Sequence, residues 1–347
     1  MKKNGFLTVL LVLVLSVTLI GCGSTPAATS KDDPKDTSGE KLVLKLSSTS
    51  SRGGALYESG AKFKELVEER SKGMIEVQLF ADGQLAKDLD AIDAHKTGAI
   101  EMSLPSTCMA QIDPKFGVFD IPFLFKNHAA VQLFSEGDIW KKELKPLFEA
   151  NGLIGVAMVE NGFRHITNNK RPINVPEDLK GIKLRVPQSK LRVAMFQEFG
   201  ANPITMDFSE VFTALQQGVV DGQENPYVQI EAGKFYEAQK YLSITYHTYT
   251  PGYLTASKVW WDGLTQEQRD LIEQACIDAG TWSREYGKES ESTLLQKFKD
   301  AGMEVNEADL AAFQGEIQPV IDILKKSIDP EFVDRALAEV KRCNDAS

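Results

Sequence analysis

The spacing of apolar residues changes period twice between Leu42 and Leu79, and that change constrains the fold more than any other feature of the chain. Leu42-Val43-Leu44-Lys45-Leu46 is a mostly apolar run of strand length. Leu56, Gly60, Phe63, Val67 and Arg70 then recur at three-to-four spacing, which marks one helix face, and Gly73 follows as a stop. Ile75, Val77 and Leu79 alternate with Glu76 and Gln78, the two-residue period of a strand. Together these make a βαβ unit. The alternation continues with a helix that turns Leu85, Leu89 and Ile92 inward and ends at Gly98, then a strand through Ile100, Met102 and Leu104. Leu153-Ile154-Gly155-Val156-Ala157-Met158-Val159 is apolar on both faces, as expected of a strand in a parallel sheet covered by helices on both sides.

A second series begins near Gly162. Ile182, Leu184 and Val186 alternate with Lys183 and Arg185, and Ser189 opens a helix that ends at Gly200. Ile204-Thr205-Met206 is a short strand, and Ser209 caps a helix through Gln217 with Gly218 as its end signal. Two α/β lobes are the natural reading. Thr265 and Gln268 form a capping box, and the helical pattern runs from there to about Lys299. At 1.5 Å per residue that helix is roughly 50 Å long, more than one small lobe, so it is expected to span both. Gly280 and Gly287 inside it weigh against an unbroken helix.

The N-terminus reads as an address. Lys2 and Lys3 precede an apolar run from Phe6 to Ile20, short for a membrane span and suited to a signal-peptide core. It ends in Leu19-Ile20-Gly21-Cys22, which resembles a bacterial lipobox, so residues 1–21 are expected to be removed and Cys22 to carry lipid. Residues 22–40 contain no large apolar side chain beyond Cys22 and read as a flexible tether spanning about 23 Å. Losing Lys2 and Lys3 takes the formal net charge from −10 to −12. So acidic a chain is not expected to bind nucleic acid, which needs clustered Lys and Arg. Cys108, Cys276 and Cys343 remain, an odd number, so at most one bridge can form within the chain.

The sequence holds no GxSxG, Walker A, GxGxxG or HExxH pattern, and His95, His128, His165 and His247 lack metal-ligand spacing. Asp88, Asp90 and Asp93 do not meet the positions of a calcium loop. A binding module without cofactor or metal is expected in preference to an enzyme. In α/β sheets ligands bind beyond the carboxyl ends of strands. Those ends carry Pro105-Ser106-Thr107, Glu160-Asn161-Gly162-Phe163-Arg164, Arg185-Val186-Pro187-Gln188 and the run from Asp221 to Pro226. A guanidinium matches a carboxylate bidentately, and amides suit hydroxyls because they both donate and accept. The implied ligand is a small organic acid with polar decoration. On pattern alone Arg164 and Arg185 could equally be solvated strand residues, Phe208 a core residue and Asn225 a turn residue before Pro226.

The stretch from Phe208 through Gly218 to Gln223-Glu224-Asn225-Pro226 resembles the signature of TRAP transporter solute-binding proteins of the DctP type. Gly181-Ile182-Lys183-Leu184-Arg185-Val186-Pro187, Gly83-Gln84-Leu85, Asp120-Ile121-Pro122-Phe123-Leu124-Phe125 and Asn161-Gly162-Phe163-Arg164 are similar to the same family in the same order, over essentially all of 42–340. Ala86 stands where the family commonly has Gly, and Cys22 where many members have an ordinary signal peptide. The resemblance implies an α/β, periplasmic-binding-protein-like clamshell, with lobe I from 41–161 and 251–290 and lobe II from 162–250 and 291–347. It implies a monomer that captures a carboxylate between its lobes and passes it to membrane subunits driven by an ion gradient. By the same resemblance Arg185 pairs with the carboxylate, Asn225 contacts that region, Phe208 packs on the ligand, Arg164 assists, and Gln188 supplies an amide. Glu160, Asp88 and Ser106 are weaker candidates. A sugar acid such as a uronate or aldonate is preferred to a C4-dicarboxylate, whose second carboxylate Arg164 could take. An enzyme acting on sugar acids in the same cleft and a sensor for a receptor are the alternatives from other classes.

Overall fold

Residues 41–347 are described by the computed structural model of the protein. The expected leader, Cys22 and the tether lie outside them. Two sheets organise the chain. The first has the order β2-β1-β3-β10-β4, with β1 Leu42–Ser47, β2 Ile75–Phe80, β3 Met102–Ser103, β4 Leu153–Phe163 and β10 Tyr249–Ser257. The second has the order β11-β9-β5-β8-β6-β7, with β5 His165–Asn168, β6 Lys183–Val186, β7 Asn202–Thr205, β8 Gly222–Asn225, β9 Tyr241–Ile244 and β11 Glu304–Glu307.

The first βαβ unit forms as its periodicity predicts. Leu42 pairs with Ile75 and Ser47 with Phe80 in parallel register, joined by the helix Ala55–Arg70, which buries Leu56, Phe63 and Val67. The expected strand through Ile100 and Leu104 pairs only at Met102 and Ser103. The expectation of a parallel strand at 153–159 is corrected. β4 is an edge strand whose one partner, β10, runs antiparallel to it. Its two apolar faces have a different cause, because the long helix Gln266–Asp300 packs on it and Phe148 packs from the other segment preceding it. A continuous apolar run reports burial on both faces, not strand direction.

The chain passes between sheets at Arg164, the single residue joining β4 to β5, and again between β9 and β10. The strand pairing of β4 with β10 shifts register between Thr250 and Pro251, opposite Gly162 and Glu160. The long helix is unbroken over 35 residues, with both arms of the Thr265–Gln268 capping box formed. Its glycines serve approach. A Cβ at position 280 would lie 2.6 Å from the Met158 carbonyl oxygen, and one at 287 would lie 2.8 Å from Glu160 Cγ. Toward its start the helix buries Ile272, Ala275 and Ala279 in the core of the first sheet, and toward its end Phe298 in that of the second. A third, larger cluster joins Phe116, Phe134 and Phe148 to Phe196, Phe199 and the C-terminal helix residues Phe332 and Val333. The helix after Asp207 starts later than expected. Phe208–Glu210 is one 3-10 turn, the α-helix begins at Val211, and Ser209 gives no side-chain cap. Cys108, Cys276 and Cys343 are buried free thiols. Among the described residues no helix is long and apolar enough to cross a membrane.

Candidate functional site

The strand ends of the two sheets face each other across a cleft of about 540 Å³, counting the mouth that opens to solvent. Arg185, Asn225, Arg164, Phe208, Gln188, Asp88 and Ser106 line it together. The two-residue period of β6 explains Arg185: Leu184 and Val186 go to the core at 0% exposure, so Arg185 takes the opposite face, which is the cleft and not bulk water. The residue is 3% exposed, and its Nε and Nη2 both donate to the carbonyl oxygen of Met206, at 3.0 and 2.6 Å. Among the described residues it makes no ion pair. Burial, and the like charge of Arg164 nearby, push it down to about 10, so it stays cationic at neutral pH.

Arg164 is in a different state. Its Nε donates to Glu224 Oε2 and its Nη2 to Glu224 Oε1 at 3.1 Å and Asn225 Oδ1 at 3.0 Å. Glu224 also holds Arg192 at 3.1 Å, and Arg192 reaches Asp120 at 2.6 Å. Burial alone would raise the Glu224 carboxyl, but the two guanidiniums hold it well below the ordinary carboxylate range. Arg164 therefore borders the cleft with its charge already balanced.

Asp88, the first residue of the helix Asp88–His95, also lines the cleft and accepts from Thr49 Oγ1 at 2.9 Å. Burial lifts its carboxyl to about 6. Asp207 accepts from Gln188 Nε2 at 3.1 Å. Ser106 donates to the Pro251 carbonyl oxygen at 2.8 Å and accepts from Asn161 Nδ2 at 3.0 Å. The cleft is thus cationic where Arg185 and Arg164 meet and acidic at Asp88 and Asp207, with amides and hydroxyls between.

Glu160 is corrected. It faces away from the cleft, where its Oε2 accepts from Tyr249 Oη at 2.8 Å and its Oε1 lies 3.7 Å from His128 Nδ1. Successive strand residues point to opposite faces, so its neighbour Asn161 enters the cleft instead. Sequence reasoning also missed Thr49, Ser50, Asp207 and Gln229 as lining residues. Thr49 and Ser50 lie just beyond the end of β1 and Asp207 just beyond that of β7, two strand ends whose cargo was not read. Ser50 donates to Gln229 Oε1 at 2.9 Å and Gln229 to Asn161 Oδ1 at 2.9 Å, so the three act as one chain across the cleft.

Two α/β lobes joined by crossovers and enclosing a buried cation define a solute-binding protein. The segment 46–327 matches the family model of bacterial extracellular solute-binding proteins, family 7 (DctP), and the chain belongs to that family. It is 34% identical over 303 residues, 86% of this chain and 92% of the relative, to the 2,3-diketo-L-gulonate-binding periplasmic protein YiaO of Escherichia coli K12. It is 34% identical over 302 residues, 85% and 90% of the two chains, to the C4-dicarboxylate-binding periplasmic protein DctP of Rhodobacter capsulatus. The crystal structure of the sugar acid binding protein DctPAm from Advenella mimigardefordensis, in complex with galactonate, superposes with a TM-score of 0.84 at 36% identity, covering 88% of this chain and 99% of that one. The protein is a TRAP-type solute-binding protein for small organic acids, and not an enzyme; its family works outside the cytoplasm.

Proposed function

We propose that the protein is the extracytoplasmic capture subunit of a TRAP transporter, that Cys22 anchors it to the membrane by lipid, and that its ligand is a sugar acid held through its carboxylate by Arg185. The observation that carries this reading is the buried guanidinium of Arg185, which has a carbonyl partner but no carboxylate among the described residues. A charge removed from water without a counter-ion is costly, and a ligand carboxylate would offset that cost. Asn225 and Arg164 flank the same end, Phe208 supplies an apolar wall, and Gln188, Ser106 and Asp88 offer groups for hydroxyls. On this reading the loaded protein hands its acid to the membrane subunits of an ion-driven transporter.

A C4-dicarboxylate is the second reading, favoured by the identity to the Rhodobacter capsulatus protein. Two features of the cleft weigh against it. Glu224 already balances Arg164, which was the group expected to take a second carboxylate. Asp88 lines the same cleft with no ion-pair partner among the described residues and would repel one. Thermal-shift and calorimetric titration with galactonate, glucuronate and succinate test the proposal. Binding of the two sugar acids with little or none of succinate supports it. A melting point moved only by neutral compounds or by cations would sink it.

A further inference from the structure

Lys87 lies outside the cleft lining, yet it joins the two sides of the mouth. It precedes the helix Asp88–His95, in the segment following β2 of the first sheet. Its Nζ lies 2.9 Å from Asp207 Oδ2 and 2.6 Å from Glu210 Oε1, both in the turn after β7 of the second sheet. Asp207 turns its other oxygen inward to Gln188 Nε2, and Asp207 and Gln188 both line the cleft beside Arg185. A parallel link runs alongside, from Gln111 Nε2 to the Gln188 carbonyl oxygen at 2.9 Å. The partners of Lys87 belong to the opposite lobe, so its ion pairs can form only when the cleft is shut.

We infer that Lys87 is a positioning residue for ligand capture: it clasps Asp207 and Glu210 across the cleft mouth, which holds the closed form together and balances the Asp207 carboxylate that would otherwise face the bound anion. Two consequences follow from one contact. Opening the cleft breaks both ion pairs, so the clasp slows ligand escape. Balancing Asp207 from outside weakens its repulsion of an anion held at Arg185. The side chains of Lys87 and Glu210 are 41% and 51% exposed and that of Asp207 19%, so water and salt screen the clasp and its effect is modest.

The test measures dissociation of galactonate by stopped flow at low and high NaCl, and X-ray scattering of the ligand-free protein under the same conditions. Lys87→Ala is expected to raise koff roughly threefold to tenfold at low salt, with Lys87→Arg restoring most of it. Added salt should raise koff of the wild type more than that of Lys87→Ala, because the variant has no clasp left to screen. A residue that only steers anions toward the mouth would change kon alone. An unchanged koff in Lys87→Ala, or a salt response equal to the wild type's, overturns the inference. The ligand arm rests on the sugar-acid reading and the scattering arm does not. If galactonate fails to bind the wild type, that reading fails while scattering still decides the clasp. In that arm Lys87→Ala should have a larger radius of gyration than the wild type at low salt, and equal radii would refute the clasp.

Discussion

On the proposed reading, one side chain, Arg185, carries the binding function. Its neighbours Leu184 and Val186 fix its direction, and its own burial creates a need for an anion. Arg185→Ala is expected to lower the affinity for the bound acid by about 2–5 kcal/mol, as for truncating one side of a buried charge pair. Arg185→Lys is expected to weaken binding too, since a single ammonium cannot replace the fork. Calorimetry with the acid that binds the wild type checks both, and unchanged affinity in Arg185→Ala would remove the proposed anchor. Asp88 makes a prediction with a pH signature. Its folded carboxyl, lifted to about 6 by burial, binds a proton more tightly than it does unfolded, near 3.8. Its contribution to stability therefore falls as pH rises from about 4 to 6, where only the folded form holds the proton, and is level above that. Asp88→Asn removes the penalty, so the variant should be more stable than the wild type by about 3 kcal/mol at pH 7, the gap closing toward pH 4. Urea denaturation at several pH values measures it; a gap that widens in acid contradicts the assignment. The same variant should admit succinate more readily, because the carboxylate without an ion-pair partner is gone.

Elements were read from the sequence where local periodicity and packing agree. The first βαβ unit, the strand carrying Arg185 and the capping box of the long helix all announce themselves in residue spacings within one segment, and these formed as expected. Strand direction and side-chain facing failed where a distant partner decides them. β10 sets the direction of β4, and the one-residue step from Glu160 to Asn161 decides which enters the cleft. The balancing of Arg164 was also invisible, because Glu224 lies 60 residues away. The long helix teaches the same lesson, since Gly280 is a weak helix former on propensity alone. Position 280 crosses β4 so closely that the carbonyl of Met158 occupies the space of a side chain. Gly280→Ala should therefore destabilise the protein by roughly 1–3 kcal/mol through overpacking, despite the helix propensity of alanine, about 1 kcal/mol better than glycine's. A denaturation midpoint that rises in this variant would show that the helix does not press on the strand.

At the scale of the molecule, opening the proposed jaw requires two lobes, yet residues 41–347 form one contact unit. Three structures tie the sheets together: the crossovers at Arg164 and between β9 and β10, the helix Gln266–Asp300, and the aromatic cluster that runs from Phe116 to Phe199 and Phe332. The buried charges follow the same route. Asp120, Arg192, Glu224 and Arg164 form a continuous ion-pair chain in which Arg192 bridges two carboxylates. Removing any one member would strand a buried charge, at a cost of about 3–5 kcal/mol. Ties of this kind let a hinge bend while forbidding the lobes to unfold separately. The body should accordingly melt in a single transition, with equal calorimetric and van't Hoff enthalpies. A bound acid should shift that one transition as a whole: at a hundredfold excess over its Kd it adds about 2.7 kcal/mol to the unfolding free energy. Differential scanning calorimetry with and without the acid checks both statements. Two resolved transitions, of which the ligand moves only one, would mean that the shared core and the long helix do not couple the lobes. Closure would then have to be transmitted by the cleft contacts alone.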